Sequence, residues 1–382
     1  MPEARAKQAH GPARNELGDL VALSRRFGAD PDWVLAGGGN TSFKIGRSLY
    51  VKASGSSLGT IDESGFCEID RTKLDAMWGA GYPDDADARE AAALADLMAA
   101  RRGGEVKRPS VETLMHGLFP QAYVVHTHPA AVNGLTCGRE GRVAFDRLFS
   151  DEGIWVPFVD PGYVLANAVR AALDDFRARK GFVPAIMLMQ NHGLLVAGES
   201  PEDVEALSAR VMAKVSGELK RLPDLAARPA DARSVADATA TLSRLGAAAI
   251  RFRADGESLA RASSREAFAP FDSSFTPDHI VYAGHEFLLA EGGAQGIEGA
   301  WSDYVRRNGL TPRVVVVQGL GAFSCAGSPS AADAAILLYT DACKVAAYSE
   351  SFGGPLHMTK EKVDFIRNWE VEKYRSSVSA GE

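Results

Sequence analysis

The sequence predicts an α/β fold, on three observations. Short β-type apolar runs (49–52, 122–128, 186–189 and 314–317) alternate with longer segments whose apolar residues recur at helical spacing. Turns rich in Gly and Asn separate them. One layout of strand, glycine turn, strand and Ser-Pro helix start occurs twice at an offset of 128, matching Pro184/Pro312, Gln190/Gln318, Gly193/Gly321, Ser200/Ser328 and Pro201/Pro329.

Taken in order, Leu17, Leu20, Val21 and Leu23 mark a first helix that ends near Phe27–Gly28. Trp33–Ala36, Thr41–Lys44 and Leu49–Lys52 read as short strands joined by tight glycine turns. Asp85–Arg102, rich in Ala, reads as a helix, and a short helix opens at Pro109-Ser110. Ala122–His128 and Pro157–Val159 are β-type, and Leu165–Arg179 is an amphipathic helix. Ile186–Met189 turns at Asn191-His192-Gly193 into Leu194–Val196, and Pro201 starts a helix with Glu202 and Asp203 in its first turn. Residues 223–237, with two prolines and mixed charge, read as a linker.

Composition narrows the function. The 382 residues are 46% hydrophobic and 24% charged, enough for two domains or one large unit with an appendage. A formal charge of −7 argues against nucleic acid or an anionic membrane as main partner. Cys67, Cys137, Cys325 and Cys343 are scattered, so neither a disulfide framework nor a thiolate zinc knot is expected. With no apolar run of a signal or membrane segment, the expectation is a soluble cytoplasmic protein.

The chemistry concentrates in His126-Thr127-His128 and His192. Alternate residues of a strand share a face, so both imidazoles of an H-x-H can reach one ion, and a distant third leaves a coordination position open. The alternative is a pair of packing histidines. Glu112 follows Ser110 at a helix start, where it is either a carboxylate favoured by the helix dipole or a general base beside the metal. Gly37–Ser42 and Ala53–Ser57 are hydroxyl-rich turns that suit a phosphate, or are turns alone. Val314–Val317 with Gly319-x-Gly321 lacks the third glycine of a dinucleotide fingerprint, because Ser324 stands in its place.

Together and in this order, Gly39-Asn40-Thr41-Ser42, Ser54-Gly55, Ser110 with Glu112, His126-Thr127-His128-Pro129 and Asn191-His192-Gly193-Leu194-Leu195 resemble the class II aldolase/adducin family. The longer forms Gly-Gly-Gly-Asn-Thr-Ser, Lys-Ala-Ser-Gly and Arg-Pro-Ser-Val-Glu-Thr look most like the aldolase part of bifunctional rhamnulose-1-phosphate aldolase/lactaldehyde dehydrogenase proteins, without the dehydrogenase half. Thr276-Pro277-Asp278-His279 and Gly319–Phe323 resemble that part too.

The resemblance implies a three-layer α/β/α sandwich with a mixed or antiparallel sheet at 15–222. A flexible 1–14 precedes it, and a smaller α/β region follows at 238–382, a degenerate half-copy with Leu320 where the first has His192. It also implies a divalent ion, Zn²⁺ by donor chemistry, on His126, His128 and His192. Glu112 would be the catalytic acid-base group. Asn40, Thr41, Ser42, Ser54, Gly55 and Ser110 would hold a substrate phosphate.

The implied reaction is retro-aldol cleavage of a ketose 1-phosphate to dihydroxyacetone phosphate and an aldehyde, through a metal-stabilised enediolate, in a homotetramer. Epimerase, dehydratase, decarboxylase and adducin-like binding roles are the alternatives on the same scaffold. Relatives bring in a tyrosine soon after the H-x-H as aldehyde-side acid. Here none occurs until Tyr163, which either serves or packs beside its Pro-Gly turn.

Overall fold

The computed structural model describes residues 14–369. Within them β1 (Asn40–Ile45), β2 (Ser48–Lys52), β3 (Phe66–Asp70), β4 (Tyr123–Thr127), β5 (Gly153–Val156), β6 (Ile186–Met189) and β7 (Gly193–Gly198) form one sheet. Its order is β3-β2-β1-β4-β7-β6-β5, antiparallel throughout except for the parallel pair β5–β6. The expectation of a mixed sheet holds.

Side-chain alternation gives this sheet two apolar faces. Tyr123, Val125, Leu188 and Val196 pack against helices Arg14–Gly28, Ala130–Thr136, Gly141–Phe149 and Pro201–Ser216. Val124, Met187, Met189 and Leu195 face helix Tyr163–Lys180 and the short helix Thr113–Leu118. The three layers follow from burying both faces.

A second sheet holds β8 (Ala249–Arg253), β9 (Leu288–Ala290), β10 (Val314–Val317) and β11 (Gly321–Ala326) in the order β8-β11-β10-β9. Val314 and Val316 face helix Pro329–Ser349, whereas Val315 and Val317 face helices Ala232–Arg244 and Ala294–Asn308. Helix Pro329–Ser349 also lies against Ala130–Thr136 of the first unit, so Ala130 and Cys137 share a core with Leu338, Ala342 and Ala346.

Three local expectations are corrected. Trp33–Ala36 forms turns rather than a strand, with Val34 N–H bonded to Asp30 O and Gly38 N–H to Leu35 O. The strand expected at Pro157–Val159 lies just before it, at β5, where the backbone pairs with β6. The linker is shorter than 223–237, because Ala232 already starts a helix capped by Asp231. What remains is docked, with Glu257 N–H bonded to Asp224 O and Arg221 paired with Glu257 and Glu350. The flexible segment expected at 1–14 lies outside the described residues except for Arg14, which begins the first helix. No helix among the described residues is long and apolar enough to cross a membrane.

Candidate metal centre

Antiparallel pairing brings the ends of several strands to one edge of the first sheet. The register sets Asn40, the first residue of β1, opposite His126 near the end of β4, and Thr127 opposite Leu194 at the start of β7. The tight turn between β6 and β7 carries His192. It requires Asn191 in the left-handed region at φ 52°, a conformation asparagine tolerates. Gly193 follows because a Cβ there would come 2.5 Å from Thr127 O and 2.7 Å from His128 Cδ2.

The three imidazoles converge. His126 Nε2 lies 2.9 Å from His128 Nε2 and 3.3 Å from His192 Nε2. His126 donates its Nδ1–H to Leu194 O at 2.9 Å, and His128 donates its Nδ1–H to Asp278 Oδ2 at 2.5 Å. Both Nε2 atoms therefore present lone pairs to each other, and that arrangement needs a cation between them, a shared proton or a metal ion. Burial, opposed by the Glu112 carboxylate, pushes His126 down to about 3 and keeps it unprotonated. The residues fit a divalent metal, since ligand atoms of His126, His128 and His192 lie within 4.8 Å of one another.

Glu112 stands beside them, buried, with Oε1 3.2 Å from His192 Nε2 and Oε2 3.5 Å from His126 Nε2. Burial opposes its ionisation, yet its carboxyl lies well below the usual range, because hydrogen bonds from the His192 ring and the Asn40 amide stabilise the carboxylate. A directed chain of hydrogen bonds sets Asn40. Ser42 donates its hydroxyl to His116 Nδ1 at 2.8 Å, His116 Nε2–H donates to Asn40 Oδ1, and Asn40 Nδ2 donates to Glu112 Oε2 at 2.5 Å. Burial, with the charge of Lys44 adding to it, pushes His116 down to about 3, so it stays neutral as this chain requires.

A cleft opens onto the cluster. Asn40, Ser54, Gly55, Ser110, Glu112, His128 and His192 line it, so most of the sequence-selected residues meet there. Thr41 and Ser42 do not. Strand alternation turns Thr41 to the opposite face, where its hydroxyl bonds Ser24 Oγ at 2.6 Å, and Ser42 lies one pleat deeper, occupied by His116. Three consecutive strand residues cannot all face one phosphate.

Two charged lining residues escaped sequence reasoning. Lys52 is buried at the end of β2, its ammonium donating to Gly37 O and Gly39 O at 3.1 and 2.8 Å. The only signal was its place in Lys-Ala-Ser-Gly. Asp278 arrives from the second unit, and its signal was the Thr-Pro-Asp-His run, which carried no assigned role. Tyr163 packs edge-on to Tyr82 and near Trp78, and it is not among the residues lining the cleft.

Residues 18–212 match the model of the Class II Aldolase and Adducin N-terminal domain. The chain belongs to this class II aldolase and adducin family, whose aldolases use a divalent metal. A Bacillus subtilis (strain 168) protein named uncharacterized oxidoreductase YuxG is 30% identical over 194 residues; that match covers 48% of this chain and 27% of the relative, so the chain spans about a quarter of its length. The N-terminal class II aldolase domain of a conserved Thermoplasma acidophilum protein is similar at 26% identity and a TM-score of 0.45, over 56% of this chain and 99% of that one. An L-fuculose-1-phosphate aldolase from Thermus thermophilus is 14% identical with a TM-score of 0.34, over 54% and 92%.

Proposed function

We propose that the protein is a Zn²⁺-dependent lyase that cleaves a ketose 1-phosphate, rhamnulose 1-phosphate or a related deoxy-ketose, to dihydroxyacetone phosphate and an aldehyde. The observation that carries this reading is the pairing of a convergent imidazole set with a buried carboxylate, Glu112, 3.2 Å from His192. When bound, the ion supplies Lewis acidity toward the ketose carbonyl. In the cleavage the C3–C4 bond breaks, the C4 hydroxyl loses its proton as it becomes the aldehyde, and C3 of the three-carbon fragment gains one. Glu112 serves as the group that exchanges the C3 proton, and Asn40 orients it through Oε2.

Asn40, Ser54, Gly55 and Ser110 hold the phosphate in this reading, and Lys52 adds positive charge to the floor of the cleft. The packed Tyr163 leaves the aldehyde-side proton to another group. A homotetramer in a reducing cytoplasm belongs to the same reading; four free, buried cysteines support the compartment, and light scattering tests the assembly.

The test is a retro-aldol screen over ketose 1-phosphates with coupled detection of dihydroxyacetone phosphate, run beside Glu112→Gln. Zn²⁺ near one per chain and a kcat loss of about 10²–10⁴ in Glu112→Gln are expected. Turnover confined to non-phosphorylated or carboxylated analogues would sink the phosphate assignment.

A further inference from the structure

We infer that Asp278, supplied by the second unit, is a positioning residue of the metal centre, fixing the tautomer and ring orientation of His128; this rests on the metal-binding part of the proposed function. A carboxylate accepting from Nδ1–H makes the opposite nitrogen a better and better-aimed ligand. Asp278 meets that description. Its Oδ2 is 2.5 Å from His128 Nδ1, its side chain is 5% exposed, and His128 Nε2 points into the imidazole cluster 2.9 Å from His126 Nε2.

The surroundings are built to hold this contact across 150 residues of sequence. Phe275 O accepts Asn191 Nδ2 at 3.0 Å, which ties the segment to the turn that carries His192. Asp278 immediately precedes a π-helical turn, His279–Ala283, a rare conformation that is frequent at functional sites. That turn is locked by His279, whose Nδ1 meets Thr276 Oγ1 at 3.2 Å and whose Nε2 meets Asp341 Oδ2 at 3.0 Å. On the other side Gly38 leaves room for the pair, since a Cβ there would come 2.7 Å from Asp278 Oδ2 and 3.3 Å from His128 Nδ1. The second unit thus contributes to the chemistry as well as to the core.

The experiment measures Zn²⁺ affinity of the full chain by competition with a chromophoric chelator, for wild type, Asp278→Asn and Asp278→Ala, together with ¹H–¹⁵N spectra of the histidine rings. Affinity should fall about tenfold in Asp278→Asn and toward a hundredfold in Asp278→Ala. The deshielded Nδ1–H signal of His128 should vanish in Asp278→Ala, whereas that of His126, bonded to Leu194 O, stays. A purely structural role would not separate the two rings. The isosteric Asn variant keeps the test decisive where Ala disturbs folding. Unchanged affinity in both variants, or an unchanged His128 ring signal, overturns the assignment of Asp278. A wild type that takes up no Zn²⁺ overturns the proposed function itself.

Discussion

The half-sheet β4-β7-β6-β5 and the sheet β8-β11-β10-β9 have the same order and the same senses of pairing, antiparallel, antiparallel and parallel. The likeness extends to single bonds. Gln190 N–H bonds Val156 O, and Gln318 N–H bonds Ala290 O, both at 2.9 Å. Asn191 and Gly319 occupy the same left-handed turn position, at φ 52° and 71°. The registers set His126 against Leu195 and Phe252 against Phe323, so Phe252, Ala254 and Leu320 occupy the places of His126, His128 and His192. We propose that the second unit is a half-copy that kept what the backbone demands and shed what the ligand demands. The glycines illustrate it, because a Cβ at Gly193 or at Gly321 would come 2.5 Å from the carbonyl of the adjacent strand, Thr127 or Arg253.

His192→Leu, which writes the second unit's residue into the first, should have the largest effect. It should abolish stoichiometric metal by elemental analysis while leaving circular dichroism unchanged; a variant that retains the metal would break the comparison. Next come Gly193→Ala and Gly321→Ala. Each should lower stability by about 1–3 kcal/mol in urea titrations through overpacking, and only Gly193→Ala should also weaken Zn²⁺ binding.

The pH response should be smaller. His116 is held down at about 3 in the fold but titrates near the ordinary imidazole value once unfolded. Its contribution is therefore full above about 6.5 and is lost progressively as pH falls toward 3, because the unfolded chain takes up a proton that the folded chain refuses. In metal-free protein, His116→Gln should narrow the gap between urea midpoints at pH 7 and pH 5. The smallest and most symmetric effect belongs to the caps. Ser200 and Ser328 each accept a backbone N–H of the following helix, and alanine at either should cost about 1 kcal/mol.

Much of this was legible in the sequence. Strand β6 and its turn into β7, the half-copy layout and the residues that meet at the cleft carry local patterns, and the family match spans the first unit. What escaped depended on pairing across space. Thr41 sits in the same motif as Asn40, yet the two-residue period of β1 sends it to the other face. The order Ser42, His116, Asn40, Glu112 is a chain of contacts between separate segments, visible only once β1 and helix Thr113–Leu118 are adjacent. Asp278 lies in a segment with no repeat partner in the first unit's motif set. Trp33–Ala36 has strand-like composition, but its backbone closes turns that deliver the glycines to the site.

The seat of helix Pro329–Ser349 on Ala130–Thr136 has a consequence for biosynthesis. Gly134 lies so close that a Cβ would come 2.3 Å from Tyr348 Cβ, and Cys137 and Ala130 take their apolar roof from this later helix and its neighbours. During translation the earlier segment waits for its cover for roughly ten to forty seconds at ordinary elongation rates. Nascent chains stalled before residue 329 should accordingly recruit holding chaperones, and the histidine cluster should mature only after the last strand-helix unit has been made.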